Sequence, residues 1–524
     1  MTRLSALCPL FLVAVCLAGV CGCVRRAALY DEIAASRRVA YERWAGGQQR
    51  DAVEIAGALS LPDAVKLALQ YNKPLQAALH DREIARGQLL ASYSEALPTV
   101  DATVSYTRLD ELAGFDVGGT TVTTGELDNY SADVTVRQPL FRGGAVRAAI
   151  RAAKLYVVLT DEQLRVRAQE TIYAVGRGYF ETLLARRLEE VNRQAVVSAE
   201  AHLEDVRAKF ERGAASRYDV LRAQVDLSNF RAQRIEQSHR VHLARTELLK
   251  TLGVSQDSDV RLSDELTYRP ARPVLDRAVE IAYQNRPDLH AAELGIRTQR
   301  EAVRMAYSRY WPEVYATFTQ AWTRPDPHTD DQSWGRRWTG GVELIWPIFD
   351  GLQREGDVIE QRARLRKRTL ELADAEEQTV LDVRQAVLSL ADAEEFVASQ
   401  RMNLDRAAEG LRLAQVGYRE GVNTEVEVVD ARAAVTKARG LYYRAVYNHT
   451  VARLDLQRAM GILGPPPASR DVTSRPRSVP GKLEIFQPEG DAATRPAGGS
   501  TGEDASPAEA GRRRSAAREG ADSE

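Results

Sequence analysis

The feature that most restricts how this chain can fold is an internal repeat. The stretch LPDAVKLA at 61–68 returns as LDRAVEIA at 275–282, and QPLF at 138–141 returns as WPIF at 346–349. Equivalent positions stay 208 to 214 residues apart and keep their order along the chain, so chance similarity is a poor explanation. We therefore expect two copies of one supersecondary unit, each folded in the same way.

Each copy contains the same series of predicted elements, which are a helix, two short strands, a long helix, a glycine-containing turn and a last helix. The predicted helices of the two copies span 61–95 and 275–309, about 145–211 and 352–419, and about 216–251 and 424–460. Because no proline occurs at 141–269 or at 349–464, nothing in the sequence breaks the long helices.

The lengths of these helices indicate the wall of a tall tube. A helix of roughly 67 residues is about 100 Å long, and two helices of about 35 residues match it when stacked end to end. Apolar residues of the second long helix recur at coiled-coil spacing, at Val380, Val383, Val387, Leu390, Val397, Leu404 and Leu411. A cytoskeletal or dimeric coiled coil is the alternative, but it explains neither the strands nor an apolar leader.

The two short segments of each copy alternate apolar and polar residues, as β-strands do. The apolar positions are Val100, Ala102, Val104, Tyr106, Tyr130, Ala132, Val134, Val136, Val314, Ala316, Phe318, Trp338, Val342, Leu344 and Trp346. Segments of about ten residues with one apolar face suit tilted strands that meet lipid outside and water inside. Two soluble hairpins packed on helices are the alternative.

Tryptophan supports the membrane interpretation of the strands. Five of the six tryptophans lie between 311 and 346, and aromatic residues are enriched where barrel strands cross the membrane interfaces. Four strands cannot close a barrel, and open sheet edges are not tolerated in lipid. If the strands span a membrane, several copies of the chain must therefore assemble.

The N-terminus has the layout of a secretory signal peptide over 1–22, with Arg3 before an almost wholly apolar stretch. A retained anchoring helix is the alternative, although the stretch is short and interrupted by Pro9. All four cysteines lie at or before Cys23, so an exported chain has no disulfide framework. The run VCGC at 20–23 resembles a lipoprotein cleavage box with Cys23 as the acylated residue. Otherwise Cys23 is one more small residue near the cleavage site.

The composition argues against several classes of function. The 71 basic residues are balanced by 73 acidic ones, which argues against a nucleic-acid partner. No phosphate-binding loop, catalytic constellation or metal-ligand spacing occurs, and the seven histidines are scattered. We therefore expect that the chain is not an enzyme and binds neither a cofactor nor a metal ion. Energy for any transport would then have to come from a partner.

The repeated pattern resembles the TolC-type outer-membrane efflux protein family over about residues 59–462. The resemblance rests on the QPLF and WPIF motifs before the long helices and on YREG at 418–421. It implies a mainly α fold with a small β part and two tandem repeats, 59–253 and 273–462. Long coiled-coil helices would form an α-barrel continuous with a transmembrane β-barrel, closed in a trimer in the outer membrane. It also implies a periplasmic adaptor and an inner-membrane pump as partners, with the chain as the passive exit duct of a tripartite efflux or secretion system. A periplasm-facing structural coiled-coil lipoprotein without a pore is the alternative.

The resemblance further implies a periplasmic gate near the turn of each helical hairpin. The matching positions are Asp219, Tyr418, Glu427 and Asp430, whereas Asn423 stands where a latch arginine is expected. Acidic residues about one helical turn apart would form anionic rings around a threefold axis. The alternative is helix capping, because Thr424 with Glu427 and Ser216 with Asp219 have the spacing of capping boxes.

Two further segments complete the predicted organisation. Residues 23–58 have the character of a linker from a lipid anchor to the first helix. Residues 463–524 are rich in Pro, Gly, Ala, Ser, Arg and acidic residues, which predicts a disordered C-terminal tail.

Overall fold

The computed structural model describes residues 26–45, 58–118, 120–326 and 333–464. The helices are α1 (Arg26–Ala45), α2 (Leu61–Tyr71), α3 (Lys73–Ser94), α4 (Ala145–Glu211), α5 (Arg217–Leu252), α6 (Leu275–Asn285), α7 (Pro287–Ser308), α8 (Gln353–Arg419) and α9 (Glu425–Ala459). The strands are β1 (Ala58–Leu59), β2 (Thr99–Arg108), β3 (Ala113–Val117), β4 (Thr120–Thr124), β5 (Asp128–Arg142), β6 (Arg261–Leu262), β7 (Glu313–Arg324) and β8 (Gly335–Ile345).

The long rods confirm the prediction from apolar spacing. Helices α4 and α8 each have 67 residues, so each is about 100 Å long. Helices α5 and α9 return along them with 36 and 35 residues. The predicted stripe of α8 is its buried seam, since Val383, Leu390 and Val397 are all within 2% exposure.

The prediction of one helix at the start of each repeat is wrong, because two consecutive helices occupy each of these stretches. The break falls at Asn72 in the first copy and at Arg286 in the second, with ψ angles of 116° and 117°. Arg286 directly precedes Pro287, and a residue before proline is pushed out of the α region. In the first copy Pro74 is the second residue of the next helix, where proline is tolerated, and Asn72 is the N-cap of that helix. Asn72 also accepts a capping hydrogen bond from Leu75 N at 3.0 Å.

The helices form an ordered array with two open edges. Helix α4 packs against α3 and α5 on one side and against α7 and α9 on the other. Helix α8 then packs on the far side of α7 and α9. The edges of the array are therefore α3 with α5 at one end and α8 at the other.

The four long strands form one antiparallel sheet in the order β2-β5-β7-β8. The register aligns Thr103 with Asp133, Asp133 with Ala321, and Ala321 with Arg337. Strands β2 and β8 are the edges, and short β1 and β6 pair separately in parallel. The sequence did not predict the β1–β6 pair, the β3–β4 hairpin or α1, which lies inside the predicted linker 23–58.

The end of α5 abuts the break between α2 and α3, and glycine makes this contact possible. Gly253 has φ 79°, and a Cβ on it would lie 2.2 Å from Tyr71 O. Gly461 occupies the equivalent place in the second copy, where a Cβ would lie 2.8 Å from Arg286. A side chain at either site would collide with backbone as well as strain it.

We therefore predict opposite effects for two Gly→Ala variants. Gly253→Ala should destabilise the protein by about 2 kcal/mol or more, because strain and a backbone clash add. Gly178→Ala, inside α4, should stabilise it by up to about 1 kcal/mol, because it favours the helix. There a Cβ would meet Leu248 at 3.7 Å, an ordinary contact. Thermal unfolding in detergent measures both, and equal shifts would contradict the assignment.

Candidate functional site

The sheet has one apolar and one polar face, as predicted. Because directly paired residues of antiparallel strands point to the same side, the register fixes each face. Hydroxyls meet on the polar face, where Ser105 lies 2.7 Å from Ser131 and Thr135 lies 2.9 Å from Thr319. On the opposite face Val104 is 82% exposed in the single chain.

Exposed aromatic side chains lie at both ends of the strands. Trp311 and Trp346 stand beside the start of β7 and the end of β8, and both are exposed. Near the other end, Tyr130 contacts Tyr106 and Trp334 at centroid distances of 5.0 and 6.5 Å. An apolar band between two aromatic belts is the pattern of a sheet that faces lipid.

At the opposite end of the molecule both helical hairpins close with the same turn. Gly213 and Gly421 have φ angles of 76° and 73°, in the left-handed region. In the second turn Val422 N donates to Gly417 O at 2.8 Å, which is the long hydrogen bond of a Schellman motif. We call this end of the two hairpins the tip.

The two predicted capping boxes behave differently. Ser216 and Asp219 form a complete box at the start of α5, since Ser216 N donates to Asp219 Oδ2 at 2.8 Å and Asp219 N donates to Ser216 Oγ at 3.2 Å. Thr424 makes no side-chain capping bond at the start of α9. The structure thus gives Asp219 a capping contact, whereas Glu427 is exposed and takes no part in a box.

The remaining predicted gate residues also lie at the tip. Asp430 is exposed and forms an ion pair of 3.7 Å with Arg222 of α5, which links the two hairpins. Tyr418 is half-buried, with Lys209 Nζ 3.8 Å from its ring centroid. Burial and the neighbouring Glu425 carboxylate raise the pKa of the Tyr418 phenol. The gating role of all four residues stays a prediction.

A group of buried charges at the tip was not predicted. His202 of α4 pairs through Nε2 with Oε1 of Glu425 on α9, and both side chains are buried. Arg432, two turns further along α9, is only 5% exposed. Asp226 of α5, which is half-buried, completes the set, which we call the tip charge cluster: His202, Asp226, Glu425 and Arg432.

Burial dominates the electrostatics of the tip charge cluster. It raises the pKa of Asp226, which attraction to Arg432 and then to His202 only partly opposes. Burial likewise lowers the pKa of Arg432, against the attraction of Asp226 and Glu425. Among the described residues, Nε and Nη1 of Arg432 and Oδ2 of Asp226 have no hydrogen-bond partner. The cluster therefore holds charges whose hydrogen-bonding capacity is only partly used.

Other predicted features fall outside these sites. Cys23 and the signal peptide lie outside the described residues, so acylation stays a prediction. The described ranges contain no group of three or more His, Cys, Asp or Glu side chains placed to hold a metal ion. None of their helices has both the length and the apolar character of a membrane span.

The two copies coincide with a known family. A model of the family described as "Outer membrane efflux protein" matches residues 64–254 and 278–462. The chain belongs to this family. Membership confirms the resemblance seen in the sequence, and it makes the chain an outer-membrane channel component that extends into the periplasm.

Individual relatives match over most of their length. The alkaline protease secretion protein AprF of Pseudomonas aeruginosa is 25% identical over 429 residues, covering 78% of this chain and 86% of that protein. The outer membrane protein TolC of Vibrio cholerae is 21% identical, with coverage of 77% and 91%. The CmeC outer membrane channel of Campylobacter jejuni has a similar fold, with a TM-score of 0.68 and 17% identity over 78% of this chain and 87% of that one.

The exposed acids of the tip give a prediction about ions. Replacing Glu427 by Gln and Asp430 by Asn should lower the preference for cations and weaken block by multivalent cations, because anionic rings concentrate cations. Reversal potentials in a salt gradient measure the preference. Glu409→Gln is the control, because Glu409 is an exposed acid that lies more than two helical turns before the Gly421 reversal. This variant should change the cation preference little. Unchanged selectivity in the double variant would exclude a role for this pair in ion selection.

Proposed function

We propose that three copies of this chain form a passive exit duct of a tripartite efflux or secretion system. In this proposal the closed sheets span the outer membrane, and the helical rods continue the duct through the periplasm. A periplasmic adaptor and an inner-membrane pump complete the pathway, and the pump supplies the energy. The chain itself catalyses no reaction.

The observation that carries the proposal is the position of the open edges. Strand β2 follows α3 and strand β8 leads into α8, so each sheet edge continues into the matching edge of the helical array. A second copy that pairs its β8 with β2 of the first would also bring its α8 beside α3 and α5. One head-to-tail contact thus closes sheet and rods together, as ring symmetry requires.

Exposed apolar stripes support the same contact. Helix α5 carries such a stripe on the side away from α4, at Tyr218, Leu221, Val225, Ile235 and Leu243. Helix α8 carries one opposite its buried seam, at Leu381, Leu388, Met402, Leu413 and Val416. All ten side chains are at least 43% exposed in the single chain. Apolar stripes of this length are unfavourable in water unless they are covered.

Further parts of the proposal rest on relatives and sequence. The names of AprF and TolC describe a secretion protein and an outer membrane protein. These names support the proposal that this chain acts together with an adaptor and a pump. The family model covers only the two repeats, and the sequence contains no phosphate-binding loop that could use a nucleotide. Acylation of Cys23 would add a second attachment to outer-membrane lipid.

Reconstitution tests the duct directly. Purified protein in a planar bilayer should give discrete single-channel conductance. Val104→Lys should abolish insertion, because a lysine on the lipid face costs about 2–4 kcal/mol per copy. Thr103→Lys, the neighbouring residue on the polar face, is the matched control and should insert and conduct. A silent wild-type protein, or equal effects of the two lysines, would refute the proposal.

Cross-linking tests the contact between copies and its number. Leu221 and Val416 lie at similar distances from their turns, and no cysteine occurs after Cys23. Leu221→Cys combined with Val416→Cys should give covalent dimers and trimers with a short bismaleimide. Each single variant should remain monomeric on a denaturing gel, which also controls for Cys23. Products larger than a trimer would contradict a closed ring of three.

A further inference from the structure

The apolar face of the sheet ends in arginine on the side away from the helices. One row of directly paired residues crosses the four strands through Val104, Ala132, Trp322 and Arg336. Because directly paired residues point to the same side, Arg336 lies on the apolar face together with Val104. Arg324 follows Trp322 by two residues on β7, so it lies on this face as well. It is the diagonal neighbour of Arg336, at a Cα distance of about 7–8 Å.

Exposed tryptophans surround Arg336 and indicate its depth in the membrane. Trp322 lies opposite on β7, Trp338 lies two residues later on β8, and Trp334 lies two residues before Arg336. Their side chains are 38%, 68% and 54% exposed. Tryptophan on a lipid-facing sheet is enriched at the membrane interface, and arginine is tolerated far better there than at the midplane. Arg336 therefore lies at the level of lipid headgroups.

These headgroups belong to the outer leaflet. Helix α3 precedes the start of β2 and α8 follows the end of β8, so the helices adjoin the opposite ends of the strands. In this family the channel extends from the outer membrane into the periplasm, which is where the helices lie. The end of the sheet that carries Arg324 and Arg336 consequently faces outward.

The Arg336 guanidinium has no ion-pair or hydrogen-bond partner in the part of the chain that the structure describes. Other arginines of the same end have acids nearby, since Arg108 pairs with Asp128 at 3.4 Å, and Glu126 and Asp128 line one shallow depression with Arg324. Charges that lose water require a compensating partner. At this position the partner has to come from outside the chain, and arginine matches phosphate with two parallel N–H···O hydrogen bonds.

We propose that Arg336, assisted by Arg324, binds the phosphate of a phosphorylated lipid in the outer leaflet. This inference rests on the proposed duct, whose sheet spans the outer membrane, and it names the lipid chemistry that the sheet recognises. The acyl chains of this lipid would lie along the apolar face toward the helices, over Phe318 and Trp338, whose rings stack at 6.2 Å. Each copy in the ring would carry one such site.

Binding of diphosphoryl lipid A to the full-length protein in detergent tests the proposal, and tryptophan fluorescence follows the titration. Wild type should bind this lipid more tightly than dephosphorylated lipid A with the same acyl chains. Arg336→Gln should weaken binding of the diphosphoryl form at least about tenfold, equivalent to about 1.4 kcal/mol. Arg336→Lys should bind with intermediate affinity, because lysine keeps the charge but loses the paired hydrogen bonds.

The matched control is Arg337→Gln, the neighbouring arginine on the polar face, which pairs with Ala321 in the register. It should keep wild-type affinity. Inorganic phosphate at millimolar concentration should not displace the lipid, and displacement would overturn the assignment to a lipid. Size-exclusion chromatography checks that each variant keeps the assembled state.

Equal binding of the two lipid A forms by the wild type would overturn the inference, even if Arg336→Gln failed to assemble. Wild-type affinity of assembled Arg336→Gln would overturn it as well. Either result leaves the duct standing, because conductance is measured in a bilayer of zwitterionic lipid without lipid A. A wild type that is silent in that bilayer refutes the duct itself.

Discussion

The structure depends on the pairing of strand edges. Strands β2 and β8 each present one row of backbone N–H and C=O groups that the sheet of a single chain leaves unpaired. Water can satisfy such groups, but hydrocarbon cannot, and each unsatisfied group costs several kcal/mol there. A sheet whose apolar face is built for lipid must therefore find its missing strands in other copies. Everything below the sheet has to accommodate the ring that this pairing creates.

The repeat makes that accommodation possible. Each of the two repeats within a chain supplies two strands, one long helix and two shorter helices, the half-rods, that stack end to end. Every strand is therefore continued by a helix of the helical array. The half-rods meet end to end at Gly253 and at Gly461, where backbone packs against backbone. The stacked half-rods, of 22 and 36 residues in the first repeat and 22 and 35 in the second, are somewhat shorter than the 67-residue rods beside them. A duplicated unit gives both halves of the chain this construction without separate solutions.

The sequence predicted the long elements well and the contacts between distant elements poorly. Boundaries of α4 and α8 agree within one residue, because long proline-free stretches with heptad spacing allow little else. The breaks at Asn72 and Arg286 were missed, since the apolar pattern continues through them and only the nearby prolines indicate them. The second apolar stripe of α8 was also missed, because the buried seam alone explained its periodicity.

Site residues show the same division. The capping box at Ser216 was predictable because it is local, whereas the similar pattern at Thr424 forms no capping bond. His202 and Glu425 are 223 residues apart, so their pairing follows only from the way the hairpins pack. The one available signal was a histidine inside the apolar stripe of α4, between Ala199, Leu203 and Val206. A polar residue at such a position requires a buried partner.

Polar as well as apolar contacts hold the seam between α4 and α9. Neighbouring residues of α9 make both kinds, since Gly440 faces Leu188 of α4, which lies 3.7 Å from where a Cβ would be, and Arg439 donates to Gln194 at 3.1 Å. Apolar burial stabilises the seam without direction, whereas each polar pair requires its own partner. The polar pairs therefore select the register at which the two hairpins of one chain pack, which apolar burial alone would leave free.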